Sequence, residues 1–229
     1  MLYVYTKRIL DVLFAGLALI LLSPLFVIIM IILSLTSEKQ VFFRQERIGY
    51  HYKPFVMLKF STMLKNSAKM GLGTMTLRND DRVTTFGKFL RLTKLNELPQ
   101  LVNIFIGEMS FVGPRPLLFK DLEKFPSNLK EAIYHSKPGL TGIGQIVFRD
   151  EEILVTKAKD PISFHISEIQ PYKGELELWY LKNKSLILDL QIIFLTSWVI
   201  FFPQSILPYK IFDELPSKPR FLQIHNEHV

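Results

Sequence analysis

The sequence predicts an α+β fold that is predominantly helical, with an N-terminal re-entrant membrane helix, a small β-hairpin and amphipathic helices at a membrane interface. Three observations predict it. An uncharged apolar run is broken near its middle by Ser23-Pro24, two β-rich runs flank Gly49, and apolar residues recur at three- and four-residue spacing from Phe86 to Phe105.

The first element is the run from Val12 to Leu35, which carries no charge. At about 1.5 Å per residue it is long enough to cover the roughly 30 Å of a bilayer's hydrocarbon. It exceeds an ordinary signal-peptide core and no small-residue cleavage site follows it, so it is expected to stay in the mature chain. Pro24 removes one helical hydrogen bond and bends the helix. Lys7 and Arg8 precede the run and Lys39, Arg44 and Arg47 follow it. Cations at both ends favour the cytoplasmic side for both, hence a helix that turns back. A kinked spanning helix is the alternative.

Next, Val41 to Arg44 and Phe55 to Phe60 read as the strands of a hairpin turning at Gly49. Residues 62 to 82 are polar, with Gly71 and Gly73, and read as a mobile loop over a site. Phe89, Leu92, Leu95, Leu98, Leu101, Val102 and Phe105 form a helical stripe, and Pro99 within it predicts a break just after Asn96 and Glu97. That break puts the pair at a helix end, where free backbone N–H groups meet phosphate. In "SKPGLTGIGQ", Gly139, Gly142 and Gly144 allow close backbone approach to a ligand, although the spacing is no nucleotide fingerprint. Leu186 to Phe202, closed by Pro203, is apolar nearly all round and reads either as an interfacial helix or as a buried core helix. The division expected is 1–36 for the membrane helix, 37–203 for a cytoplasmic catalytic domain with its interface helices, and 204–229 for a tail.

Composition narrows the chemistry. The 229 residues carry 28 Lys and Arg against 21 Asp and Glu, a formal charge of +7 that suits an anionic partner such as a phosphorylated substrate or a phospholipid surface. A nucleic-acid binder lacks any recognition motif here and has no use for the apolar run. There is no cysteine, which excludes thiol catalysis and disulfides, and the five histidines lack metal spacing.

Several motifs then carry a resemblance. They are "KRILD" at 7–11, "LSPL" at 22–25, "FRQERIG" at 43–49, "LKFSTM" at 58–63, "FGKFLRLTKLNELPQLVNIFIGEMSFVGPRP" at 86–116, "KPGLTGIGQ" at 137–145 and "LILDLQIIFLT" at 186–196. In this order, over most of the chain, they resemble the monotopic bacterial sugar transferases, the polyprenyl-phosphate phosphoglycosyl transferases. The resemblance implies a re-entrant helix in the cytoplasmic face of the bacterial inner membrane. It also implies transfer of a sugar phosphate from a nucleotide diphosphate sugar, typically a UDP-sugar, to polyprenyl phosphate with release of the nucleoside monophosphate. That reaction opens assembly of a surface glycan. Partners implied are the nucleotide-sugar donor, polyprenyl phosphate and membrane phospholipid, with no nucleic acid; a homo-oligomer stays open.

Such enzymes usually pair Asp with Glu beside Mg²⁺, the aspartate attacking phosphorus. Here the pair is Asn96-Glu97, and a neutral amide has no anionic oxygen for the attack. Two further departures are Ser61, where a cation is usual, and the run Asp150, Glu151, Glu152 after Arg149. Three routes stay open: attack by Glu97, attack by an acid of 150–152, or direct attack by the lipid phosphate. The acid run read as a solvated helix start is the bland alternative. Glu97 is the expected Mg²⁺ ligand. Arg115, held between Pro114 and Pro116, suits bidentate contact with a diphosphate, and Lys59, Arg82, Arg91 and Arg149 are further phosphate contacts or structural cations. The competing function is an inactive relative, natural or an Asp-to-Asn trap, that binds nucleotide sugar or acts as a membrane scaffold. The "DELP" of the tail, from Asp213, imitates the pair without its helix and reads as coincidence.

Overall fold

The computed structural model describes residues 2–36, 38–70, 76–77, 79–122, 125, 127–202, 205–212 and 214–224. Gly71 and Gly73 of the expected mobile loop, the closing Pro203 and Asp213 of "DELP" lie outside them. Most of the chain is helical, with a small antiparallel hairpin, so the α+β expectation holds. Packing divides it into two units, Met1–Phe111 and Val112–Val229.

In the first unit, Pro24 has no N–H to give the carbonyl of Ile20, and the N-terminal helix breaks there. Helices α1 (Leu2–Leu21) and α2 (Ser23–Leu35) are bent by 61° at the break. The Ser23 hydroxyl donates to Ile20 O at 2.8 Å, supplying the donor that proline lacks. Among the described residues no single helix is long and apolar enough to cross a membrane; α1 and α2 have that length and composition only as a bent pair. Each half is anchored separately. Arg8 of α1 donates to Ile104 O at 2.7 Å and to Phe105 O at 2.8 Å, and its charge meets the negative, C-terminal end of the helix Gln100–Ile106. Asp11, buried, accepts the Phe111 N–H at 3.1 Å. Ile29 and Leu33 of α2 join Phe60 and Leu90 in a core, each buried apolar side chain contributing roughly 1.5–3 kcal/mol. The opposite face of α2 leaves Val27, Ile28, Ile31 and Leu35 exposed.

The hairpin pairs β1 (Phe42–Ile48) with β2 (Pro54–Phe60), from Phe42 opposite Phe60 to Ile48 opposite Pro54. The first strand runs four residues beyond the expected Arg44. Its charged stretch resembles a loop in composition, yet Arg47 donates to Gln45 Oε1 at 2.6 Å along the same strand face, so the polar residues satisfy one another. After β2, the long stripe is two helices, α3 (Thr85–Leu92) and α4 (Gln100–Ile106), separated by a 3-10 turn at Leu95–Glu97. Thr84 caps α3 by accepting the Gly87 N–H at 3.0 Å. Gly87 is obligatory, since a Cβ there would sit 2.1 Å from Thr62 O. Phe89, Leu92, Phe105 and Ile106 stay exposed on these two helices.

A two-stranded sheet leaves two backbone edges unpaired. Asn103 of α4, 1% exposed, closes one of them. Its Oδ1 accepts the Leu58 N–H at 3.1 Å and its Nδ2 donates to Val56 O at 2.8 Å, as the peptide of a third strand would. The same Nδ2 donates to Glu108 at 2.7 Å.

In the second unit, which opens in β3 (Ser110–Val112), α5 (Phe119–Leu122) and α6 (Ser127–Tyr134) lead to β4 (Gly139–Thr141), then α7 (Ile143–Val147), α8 (Glu151–Lys157) and α9 (Pro161–Phe164). A π-turn at His165–Ile169 runs into α10 (Gln170–Asn183), followed by α11 (Leu186–Phe201). One face of α11 is buried, as in a core helix, and the other is exposed. Leu188, Asp189, Ile192, Leu195 and Val199 are buried, while Ile187, Leu190, Phe194 and Phe201 are exposed. The buried Asp189 is satisfied by the Tyr180 hydroxyl at 2.8 Å. The described residues of the tail include two helices, α12 (Leu207–Ile211) and α13 (Arg220–Ile224). It docks through the Tyr172 hydroxyl on Pro216 O at 2.8 Å and through the ring pairs Trp179–Phe212 and Phe164–Phe221.

Asn103→Ala is expected to destabilise the protein by about 3 kcal/mol, because it strips both edge groups of β2 of their partner inside a packed unit. Denaturant unfolding followed by circular dichroism checks this; a loss below about 0.5 kcal/mol contradicts the role given to the amide.

Candidate functional site

The first unit gathers Lys59, Arg91, Asn96 and Glu97. Lys94 adopts a left-handed conformation, φ 60°, which ends the α3 direction and starts the turn carrying Asn96 and Glu97. The backbone amides there are not free as expected: Glu97 N donates to Lys94 O at 3.1 Å and Leu98 N to Leu95 O at 3.2 Å, because the turn tightens into 3-10 geometry. Side chains therefore carry the chemistry. Lys59 of β2 meets Glu97 at 3.1 Å, with side-chain exposures of 17% and 24%. Arg91 donates to Thr62 Oγ1 at 2.9 Å. Asn96 is 9% exposed, and its Oδ1 is buried without a hydrogen-bond partner.

Arg82 is committed elsewhere. It pairs with Asp80 at 2.6 Å and donates to Ser67 O and Met70 O, fastening the polar segment. The Arg82 hydrogen bonds hold the Asp80 carboxyl at about 2. Ser61 is buried, and its N–H donates to Val41 O at 2.9 Å.

The second unit presents Arg115 exposed between the buried Pro114 and Pro116. The turn is fixed by Gly113 N donating to Thr141 O at 3.0 Å and Gly139 N donating to Pro114 O at 2.9 Å. The glycines expected to admit a ligand instead admit protein. A Cβ on Gly139 would meet Gly113 N at 2.2 Å, one on Gly142 would meet Gly113 O at 2.5 Å, and one on Gly144 would meet Glu177 Oε1 at 3.0 Å.

The acid run is the start of α8, and two of its members, Asp150 and Glu151, are paired. Asp150 takes Arg149 at 3.0 Å. Glu151 lies between Lys173 at 2.6 Å and His165 at 3.0 Å. Burial alone would raise the Glu151 carboxyl, but the His165 hydrogen bond and the Lys173 and Arg115 charges outweigh it and bring it to about 2. An ionised carboxylate of such low basicity, held by two partners, is a poor nucleophile. Lys173 is pushed down by burial against the pull of Glu151. Sequence reasoning missed Glu177, Lys173 and His165. The signal was present in Lys173 and Glu177, one turn apart in α10, but that spacing is common to any helix surface. Glu177 is buried, and that burial pushes its carboxyl up to about 7 against the Arg115 backbone N–H and the Lys173 charge.

Among the described residues no group of three or more His, Asp or Glu could hold a metal ion alone. The donors in the Asn96-Glu97 turn, one carboxylate and one amide oxygen without a partner, fit a hard, oxygen-seeking cation completed by phosphate and water.

A family model described as bacterial sugar transferase matches residues 2–203. The chain is 38% identical over 205 residues to the exopolysaccharide production protein ExoY of Sinorhizobium fredii, covering 83% of each. It is 38% identical over 204 residues to the UDP-glucose:undecaprenyl-phosphate glucose-1-phosphate transferase of Klebsiella pneumoniae, covering 87% of this chain and 41% of the relative. It is 30% identical over 210 residues to the undecaprenyl-phosphate galactose phosphotransferase of Salmonella typhimurium, covering 86% of this chain and 40% of the relative.

The lowered Glu151 carboxyl fixes the sign of a pH effect. Its contribution is complete above about 4.5, the ordinary value, and is lost as pH falls towards about 2. Glu151→Gln is expected to lose stability at pH 7, by at most about 3 kcal/mol from the ionisation itself. The gap to wild type should narrow as pH drops through that window. Thermal unfolding of both proteins from pH 7 to pH 2.5 checks it; a gap independent of pH contradicts the ion triad.

Proposed function

The chain belongs to the bacterial sugar transferase family and is a transferase, and we propose that it moves a sugar phosphate from a UDP-sugar to polyprenyl phosphate. In the balanced step an oxygen of the acceptor phosphate forms a bond to the β-phosphorus. The bond from that phosphorus to the bridging oxygen breaks, and uridine monophosphate leaves with the electron pair. The product is a polyprenyl diphosphate sugar, the first membrane-bound intermediate of a surface glycan. The activities named for the two undecaprenyl-phosphate relatives support the acceptor class.

The observation that carries the reading is the turn in which Glu97 faces Lys59 at 3.1 Å beside the buried Asn96. In the first unit Lys59 binds phosphate oxygens, Glu97 and the Asn96 Oδ1 would hold Mg²⁺, and Asn96 orients rather than attacks; in the second unit Arg115 is a diphosphate contact. The cation, when bound, neutralises charge on the diphosphate. Asp150 and Glu151 are paired to their own cations and Glu97 is assigned to the metal, which favours the acceptor phosphate as the attacking group over Glu152, the remaining acid of the run. The protein sits on the cytoplasmic face of the bacterial inner membrane. Its bent α1–α2 pair enters one leaflet and returns, and the exposed apolar faces of α3, α4 and α11 lie in the interface.

Glu97→Gln and Arg115→Ala are each expected to lower uridine monophosphate release at least 100-fold with the fold intact; near-normal rates remove that residue from the site. Asn96→Asp should change the rate less than tenfold. A silent wild type rescued by Asn96→Asp identifies the chain as an inactive binding relative instead. For topology, cysteines introduced as Leu2→Cys and Lys39→Cys should both resist a membrane-impermeant thiol reagent applied to intact spheroplasts. Labelling at residue 2 alone would establish a spanning helix.

A further inference from the structure

The second unit contains an acid that the proposed chemistry does not use and that is costly where it sits. Glu177 projects from α10 into the interior, 7% exposed. Its Oε2 has no hydrogen-bond partner, and its Oε1 accepts one hydrogen bond, from the Arg115 backbone N–H at 3.4 Å. A carboxylate out of water with one long hydrogen bond loses far more solvation than it recovers, so packing gives no reason for an acid here. The surroundings are nevertheless shaped to admit it. Gly144 of α7 has no side chain where a Cβ would stand 3.0 Å from Oε1. The charged groups that act on the carboxyl are Lys173, one turn earlier on α10, and Arg115 itself. Lys173 is shared with Glu151 of α8, which His165 also holds.

We propose that Glu177 is a positioning residue that pins the Val112–Pro116 turn through the Arg115 backbone and so aims the Arg115 guanidinium at the donor diphosphate. The inference rests on the reading of Arg115 as a diphosphate contact. Two pins already hold the turn, both before the Arg115 Cα: the Gly113 N–H on Thr141 O, and the Gly139 N–H on Pro114 O, the carbonyl of the peptide that carries the Arg115 N–H. Glu177 supplies the third, at the residue whose side chain points outward, and it does so from a rigid helix rather than a loop.

The test uses the full-length protein in detergent and reads two quantities. In Glu177→Ala, amide exchange across residues 112–116 should accelerate at least tenfold while the rest of α10 keeps its protection. The donor KM for UDP-sugar should rise at least tenfold with kcat within about threefold. Glu177→Gln, which keeps the accepting oxygen, should restore both to within about threefold of wild type. If the alanine variant does not fold, Glu177→Leu keeps the bulk without the acceptor and carries the same expectation. Wild-type exchange at 112–116 in a folded acceptor-less variant overturns the pin, and accelerated exchange with an unchanged donor KM overturns its role towards the diphosphate. A wild type that turns over no UDP-sugar defeats the functional reading, while the exchange measurement still decides the pin.

Discussion

The first unit depends on one missing hydrogen. Without an N–H at Pro24 the N-terminal helix cannot continue straight, and the Ser23 hydroxyl on Ile20 O makes the bend tolerable in an apolar setting by satisfying the abandoned carbonyl. The bend lets two consecutive helices reach two different surfaces. α1 is fixed to the end of α4 by Arg8 and to Phe111 by Asp11, while α2 lays Ile29 and Leu33 against Phe60 and Leu90. Those surfaces are themselves joined by Asn103, which ties α4 to the free edge of β2. Lys59 rides on β2 and Glu97 on the turn before α4, so their 3.1 Å approach follows from the frame that the bent helix braces from both ends.

Two glutamates of the second unit show how environment, not residue type, sets charge. Glu151 and Glu177 share one ordinary value, yet one lies near 2 and the other near 7. Both feel the cost of burial. Glu151 has Lys173 and His165 within hydrogen-bond distance, and their attraction exceeds that cost; Glu177 has a single long contact from a neutral N–H, and the cost prevails. Lys173 lies between them on α10 and leans to Glu151, which leaves Glu177 the less compensated partner.

The sequence disclosed what local rules govern. The two β-rich runs and the Gly49 turn located the hairpin, the apolar run and Pro24 located the bent pair, and Pro99 forecast a break that the structure places at Leu95–Glu97. The prolines around Arg115 marked a guanidinium for presentation to a ligand, and the structure places the residue exposed between them. Long-range pairing was invisible. Nothing near Arg8 or Asp11 in sequence announces partners near residues 104–111, and Asn103 reads as an unremarkable polar position in a helical stripe. Glycines misled for a similar reason: close approach was foreseen, but the approaching atoms are the Gly113 backbone and the Glu177 carboxylate. The tail's helices escaped because five-residue helices draw their stability from docking, here on Tyr172, Trp179 and Phe164, not from periodicity.

An amide at position 96 also alters the local charge account. Glu97 already places one negative charge in a half-buried turn, with Lys59 as the cation at hydrogen-bond distance in this turn. A second carboxylate at residue 96, 9% exposed, would carry a burial cost and a like-charge cost together, and both raise its protonation midpoint. The amide avoids both costs and leaves the turn close to neutral, which eases the approach of a diphosphate carrying several negative charges of its own. What the amide forgoes is nucleophilicity, since its oxygen is far less basic than a carboxylate's. The same buried Oδ1, without a hydrogen donor of its own, remains able to face a cation or a protonated phosphate oxygen. Asn96 is thus suited to a site where the substrate's phosphates supply the negative charge and the protein supplies order.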